Sequence, residues 1–332
     1  MAYLGITASE GGLVPVDDDR DLEVALGASL ESLPPAAPIL ILIHGYKFDP
    51  AHPVTNPHGS LFSFSADNSS RKIRSWPTGL GFGRTDAASG LCIGFAWPAR
   101  ASHLGSLLRR GRTGFAEVYN RAPAYGEKLA ELVARIQAIA PGRVVDLLAH
   151  SLGARVALAA LPFLDIAPGK VILLGAAEYD ARALEFLEAL RCPRPPHVFN
   201  VTARANDVYD AMFESFAPRR SWRDRAIGLG LGVQSPCWLD LQIDRADVAA
   251  WARQRGIPLT PWDARLCHWS FYTRRGAFDL YQAILRRRPG WDFASLRAAP
   301  CFAGQEPRWS RLRPRLGLPS GSIEIGQEPG RA

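Results

Sequence analysis

Residues 38–44 read PILILIH, an apolar run that admits no polar position on either side of its alternation and is too short for a helix. A strand of that kind must be covered on both faces, which commits the chain to a sheet with helices above and below it. Similar runs recur at residues 90–97 (GLCIGFAW), 143–149 (RVVDLLA), 170–176 (KVILLGA) and 197–203 (HVFNVTA), and a further strand is expected at 238–243. Between them the spacing turns helical. Over 114–140, Leu129, Leu132, Val133 and Ile136 fall on one side and Glu127, Lys128, Glu131 and Arg135 on the other, and the pattern stops at Pro141 and Gly142. Helices are likewise expected at 152–164 and 180–190. This alternation predicts an α/β fold: a mostly parallel central sheet, helices on both faces and a long insertion after the first buried strand.

With 332 residues, 47% hydrophobic and 21% charged, the chain can bury a substantial core, so disorder throughout is excluded. The reading assigns residues 1–299 to a single domain and 300–332 to an extended Arg-, Pro- and Gly-rich tail. The insertion, 48–89, is rich in Pro, Gly, Ser and Asn and carries Phe62, Phe64, Trp76 and Phe82, which fits a lid or cap as well as a plain surface excursion. The net charge of +7 is spread along the chain, and no nucleic-acid-binding module accompanies it, so no nucleic-acid partner is expected. Five cysteines, none in a CxxC, indicate neither a disulfide framework nor a zinc site. Residues 1–19 lack the basic start and apolar stretch of a secretion signal, and no apolar run is long enough to span a bilayer. A cytoplasmic protein without a transmembrane segment is expected; the oligomeric state is left open.

In open parallel sheets, ligands bind beyond the carboxyl ends of the strands, so the residues just after each run carry the functional reading. After the third run stand Ala149, His150, Ser151, Leu152 and Gly153, and a helix follows. This is a small-x-Ser-x-Gly pattern at a strand-to-helix junction, where a sharp turn projects a nucleophilic serine and its flanking small residues let strand and helix approach. Ala149 replaces the usual first glycine. As a bare string the pattern is weak; its place in the chain is what discriminates.

The first run ends in His44, Gly45 and Tyr46. A serine nucleophile needs two preorganised donors for a tetrahedral oxyanion, and the N–H groups of Leu152 and Tyr46 are the expected pair. His44 reads as a buried structural histidine. After the fifth run, Asp207 and Asp210 are the carboxylates placed to orient a histidine; Asp207, nearer the strand end, is preferred. His268 is the one histidine downstream of it and completes the chain order Ser151, Asp207, His268. Asp49, His52 and His58 match no metal-ligand spacing, and no phosphate loop or dinucleotide fingerprint is present, so neither metal nor cofactor is expected.

These segments, ILIHGY at 41–46, AHSLGARV at 149–156, RANDVYD at 204–210 and HWSFY at 268–272, resemble the α/β-hydrolase superfamily, and within it bacterial α/β hydrolases of unknown function that read like small esterases and lipases. The resemblance runs from about residue 38 to 285. It implies an α/β-hydrolase fold, a serine esterase or lipase-like activity on a small-molecule carboxylic ester, and an acyl-enzyme intermediate without cofactor; the aromatics of the 48–89 insertion and Trp269 suggest a pocket for an apolar acyl or alcohol group. A non-catalytic binding module of the same fold, or the same triad serving a thioesterase, amidase or acyltransferase, stands as the alternative.

Overall fold

The computed structural model describes residues 2–16, 20–66, 72–83, 86–101, 112–261 and 266–302; the tail from 303 onward lies outside them. Among these residues, eight strands form one sheet: β1 (Tyr3–Ser9), β2 (Gly12–Val16), β3 (Ile39–Ile43), β4 (Leu91–Ala96), β5 (Val145–His150), β6 (Lys170–Leu174), β7 (His197–Thr202) and β8 (Trp238–Gln242). Their order is β2-β1-β4-β3-β5-β6-β7-β8. Only the β1–β2 pair is antiparallel. The six strands expected from the apolar runs are β3 to β8. The hairpin β1–β2 carries no such run: YLGITAS and GLVPV are short and mixed in character, and the two-residue turn Glu10-Gly11 joins them.

The alternation along each strand sorts the core into two halves. Ile39, Ile41, Ile43, Val145, Leu147 and Ala149 face one side of the sheet. There they meet α1 (Leu22–Glu31), α2 (Arg112–Ile139), α3 (Gly153–Ala160) and α4 (Asp180–Glu188). Leu40, Leu42, Leu148, Ile172 and Leu174 face the other side. After α5 (Asp207–Phe216), the helices α6 (Ala246–Gln254), α7 (Ala277–Leu285) and α8 (Phe293–Ala298) cover that second side. The 48–89 insertion contributes to it as well. Leu61, Phe62, Trp76, Leu80 and Phe82 are buried there, so these aromatics, expected in the wall of a substrate pocket, are core residues instead.

From β3 the chain crosses to β4 on one side and then to β5 on the other. The reversal of direction opens a crevice beyond the carboxyl ends of β3 and β5. The residues that follow those two strands are His44 to Lys47 and Ser151 to Gly153.

Candidate active site

Ser151 has φ +55°, a left-handed conformation that a side chain with a Cβ adopts only under constraint. The constraint is visible in the backbone. The Ser151 N–H donates to the Leu174 carbonyl at the end of β6 (2.9 Å), and the Ser151 carbonyl accepts from Ala154 and from Ala177 (both 3.0 Å). The turn is therefore fixed from both sides, and α3 starts directly after it.

The small residues beside the serine are needed to different degrees. A Cβ on Gly153 would stand 2.5 Å from the His44 carbonyl oxygen and 2.7 Å from that of Ile43, so α3 packs against the end of β3 at a distance only glycine permits. Ala149, by contrast, is an ordinary core residue. From the opposite direction, Gly45 closes on the serine: a Cβ there would lie 2.7 Å from Ser151 Cβ and 2.8 Å from the His150 carbonyl oxygen. Among the described residues, the N–H groups of Tyr46 and Leu152 donate to no protein acceptor, and the Ser151 hydroxyl makes no hydrogen bond.

His268 comes to this edge on a loop tied to the turn after β7. Cys267 N–H donates to the Ala205 carbonyl (3.0 Å), and the Ser270 hydroxyl donates to the Cys267 carbonyl (3.0 Å). The His268 carbonyl accepts from His150 Nε2 (3.1 Å), the residue before the serine, and the two imidazole centroids are 4.6 Å apart. The phenol ring of Tyr209 stacks on the His268 ring at 4.8 Å.

The partner of His268 Nδ1 is Asn206 Oδ1, at 2.7 Å. The sequence placed Asp207 in that position; the structure puts Asn206 there. Its amide nitrogen donates to Asp210 Oδ1 at 2.8 Å. The shift by one residue has a local cause. Residues Arg204–Asn206 form a single 3-10 turn, and Asp244, just past β8, accepts from Arg204 N–H (2.7 Å) and Ala205 N–H (3.3 Å). That anchor leaves Asn206 facing the His268 loop. Asp207 begins α5, where the helix dipole favours a carboxylate, with Arg204 Nε at 3.8 Å.

Residues 23–174, from α1 through β6, match the family described as "Alpha/beta hydrolase of unknown function (DUF900)". The chain has the α/β-hydrolase fold. No curated protein matches it. The family match takes in Tyr46 and Ser151 and ends before Asn206 and His268.

Three histidines around the site are held neutral. His44 is fully buried, which pushes its pKa down to about 3. Its Nε2 accepts from Trp97 N–H (3.1 Å), so Nδ1 carries the proton and donates to the Gly45 carbonyl (3.0 Å), while Trp97 Nε1 donates to the His44 carbonyl (3.0 Å). His44 thus joins the ends of β3 and β4 and fixes the turn that carries Tyr46. Burial also lowers His150, to about 4. His268 still shows part of its surface, but protein atoms crowd its ring; burial first, and then the His150 imidazole, hold it well below the usual histidine range.

The insertion touches the same loop. Lys72 Nζ lies 4.5 Å from the centre of the Trp269 ring, and the Tyr272 hydroxyl donates to the Lys72 carbonyl (3.1 Å). His52 and His58 are engaged locally: His52 Nδ1 accepts from Val54 and Thr55 N–H, and the His58 ring lies within hydrogen-bond reach of Tyr3 and Thr7. Among the described residues, no helix is long and apolar enough to cross a membrane.

Proposed function

We propose that this α/β hydrolase is a serine hydrolase that cleaves carboxylic esters of small molecules through an acyl-enzyme. The observation that carries the reading is the left-handed backbone of Ser151 at the β5–α3 junction, fixed from both sides and met by a glycine on the neighbouring strand end. Strain of this kind in a non-glycine residue persists only where surrounding structure imposes it, and it clusters at functional sites.

In the proposed reaction His268 Nε2 takes the proton of the Ser151 hydroxyl as Oγ attacks the carbonyl carbon. The tetrahedral oxyanion is stabilised by the N–H groups of Leu152 and Tyr46, which no protein acceptor competes for among the described residues. Collapse breaks the bond to the alcohol, which leaves with the proton held by His268. Water then repeats the sequence on the acyl-enzyme and frees the acid. The low proton affinity of His268 keeps it in the basic form through neutral and mildly acidic pH. Phe48 and Trp269, which are only partly buried, support an apolar group on the substrate.

A fluorophosphonate probe is expected to label the protein at Ser151, and short p-nitrophenyl esters are expected to be hydrolysed. Ser151→Ala abolishes both, and His268→Ala slows both by about 100-fold or more. Labelling that persists in Ser151→Ala, or inertness of the folded protein toward esters of every acyl length tried, overturns the assignment.

A further inference from the structure

We propose that Asn206, locked by Asp210, is the residue that positions His268, so that the relay runs Ser151, His268, Asn206, Asp210 with a neutral amide in the place of the expected carboxylate. The inference rests on the serine-hydrolase reading for its catalytic consequence, but not for its geometry.

The two ends of the Asn206 amide face different partners, and only one orientation satisfies both. The NH2 end donates to Asp210 Oδ1, 2.8 Å away, where a carboxylate oxygen accepts. The carbonyl end then faces His268 Nδ1 at 2.7 Å and can only accept, which requires the imidazole proton to sit on Nδ1. Nε2 is left with its lone pair, the form a general base needs. Asp210 thus acts at one remove: it fixes the amide, and the amide fixes the tautomer.

Both residues are built in. Asn206 is 2% exposed and Asp210 is 4% exposed, and a Cβ on Gly228 would stand 2.4 Å from both Asp210 carboxylate oxygens, so that glycine lets the chain close over the carboxylate. Among the described residues, the titratable groups that meet the imidazole are His150 at 4.6 Å, the stacked Tyr209 at 4.8 Å, and Cys267 next in the chain. None supplies a negative carboxylate. The amide therefore orients the base without stabilising the imidazolium by a full charge, and a carboxylate in its place would do both.

Moving the charge tests this directly. In the paired exchange Asn206→Asp with Asp210→Asn, a carboxylate meets His268 and an amide stands behind it, so the two hydrogen bonds of the relay, from 210 to 206 and from 206 to His268, can both be kept. Nitrogen-15 NMR of labelled histidine is expected to show the proton on Nδ1 in the wild-type protein and in the exchange variant, with the His268 pKa raised in the exchange variant. In Asn206→Ala the Nδ1 preference is lost, and kcat/KM for a p-nitrophenyl ester falls by about 100-fold or more. The single variant Asn206→Asp sets two carboxylates against each other and is expected to be worse than the exchange.

Asp207→Asn is expected to keep the Nδ1 proton. Loss of that proton in Asp207→Asn, or its retention together with wild-type kcat in Asn206→Ala, overturns the proposal. The NMR readout needs no substrate, so failure to hydrolyse any ester sinks the functional reading while leaving the orienting role of Asn206 separately decided. Near-UV circular dichroism checks that each variant is folded.

Discussion

At the scale of single residues, the site depends on where a methyl group can be added. Gly45 and Gly153 both lie within 3 Å of neighbouring atoms once a Cβ is built, but against different atoms. For Gly153 these are backbone carbonyls, which have no rotamer to yield, so Gly153→Ala is expected to lower stability by about 1–3 kcal/mol through overpacking. For Gly45 the nearest atom is Ser151 Cβ. Gly45→Ala should displace Ser151 and the Tyr46 N–H together, costing far more in kcat than in stability; parallel urea titrations and ester kinetics separate the two effects, and equal losses would contradict the argument. The same scale explains what was legible in the chain. The positions of Ser151, Tyr46 and Leu152 follow from strand ends, each marked by its apolar run, and that of His268 from chain order alone; their catalytic roles belong to the proposal above. Asn206 was passed over because a residue-type argument ranks carboxylates above amides, while the deciding contact comes from Asp244, 38 residues downstream in a loop whose register no local pattern reveals.

At the scale of elements, α3 is tied to the rest of its face by an ion pair inside the core. Arg155 and Glu178 are 4% and 0% exposed and pair directly. Glu178 also accepts from the Tyr119 hydroxyl (2.6 Å) and the Tyr179 N–H (2.8 Å), and Arg155 Nε donates to the Tyr119 carbonyl (2.8 Å), with its guanidinium 3.7 Å over the Tyr119 ring. The pair joins the helix behind the serine to α2 and to the loop after β6. Removing one partner leaves a buried charge without its counterpart, so Glu178→Gln is expected to destabilise the protein by about 3–5 kcal/mol, read as a lower urea midpoint. The double variant Arg155→Met with Glu178→Leu should recover much of that loss, because it removes both desolvated charges; a double variant no better than the single one would show that the network, not the uncompensated charge, sets the cost. Periodicity identified α3 as a helix, but it did not identify this pair. An arginine in AHSLGARV reads as a solvated residue until the sheet is assembled, since helix spacing says which residues share a face and not what lies across it.

Across the whole molecule, the carboxyl edge of the sheet is held by imidazoles that must stay uncharged. His44 couples β3 to β4, and His150 couples β5 to the His268 loop, so the crevice between β3 and β5 is bounded by two neutral histidines. Their native pKa values, about 3 and about 4, lie below the value of about 6.5 expected in the unfolded chain. Above about pH 7.5 neither state binds these protons appreciably, and the histidines add no pH dependence. Below it the unfolded chain takes up two protons that the native state refuses, so stability falls as the pH drops, until the native groups titrate near 4 and 3. The slope of each rises from half of about 1.4 kcal/mol per pH unit at pH 6.5 to the full value near pH 5, giving a loss of about 3 kcal/mol for the two between pH 6.5 and pH 5. His268, lowered in the same direction, adds to it. The urea midpoint should therefore decline well above the carboxylate range, and His44→Gln should flatten part of the decline at the expense of stability at pH 7.5. A midpoint constant from pH 7.5 to pH 5 would mean that these histidines titrate normally in the native protein. Because His268 is itself hard to protonate, the acid limit of any ester hydrolysis is expected to follow this unfolding and not the titration of the base: activity and near-UV circular dichroism should be lost together as the pH is lowered.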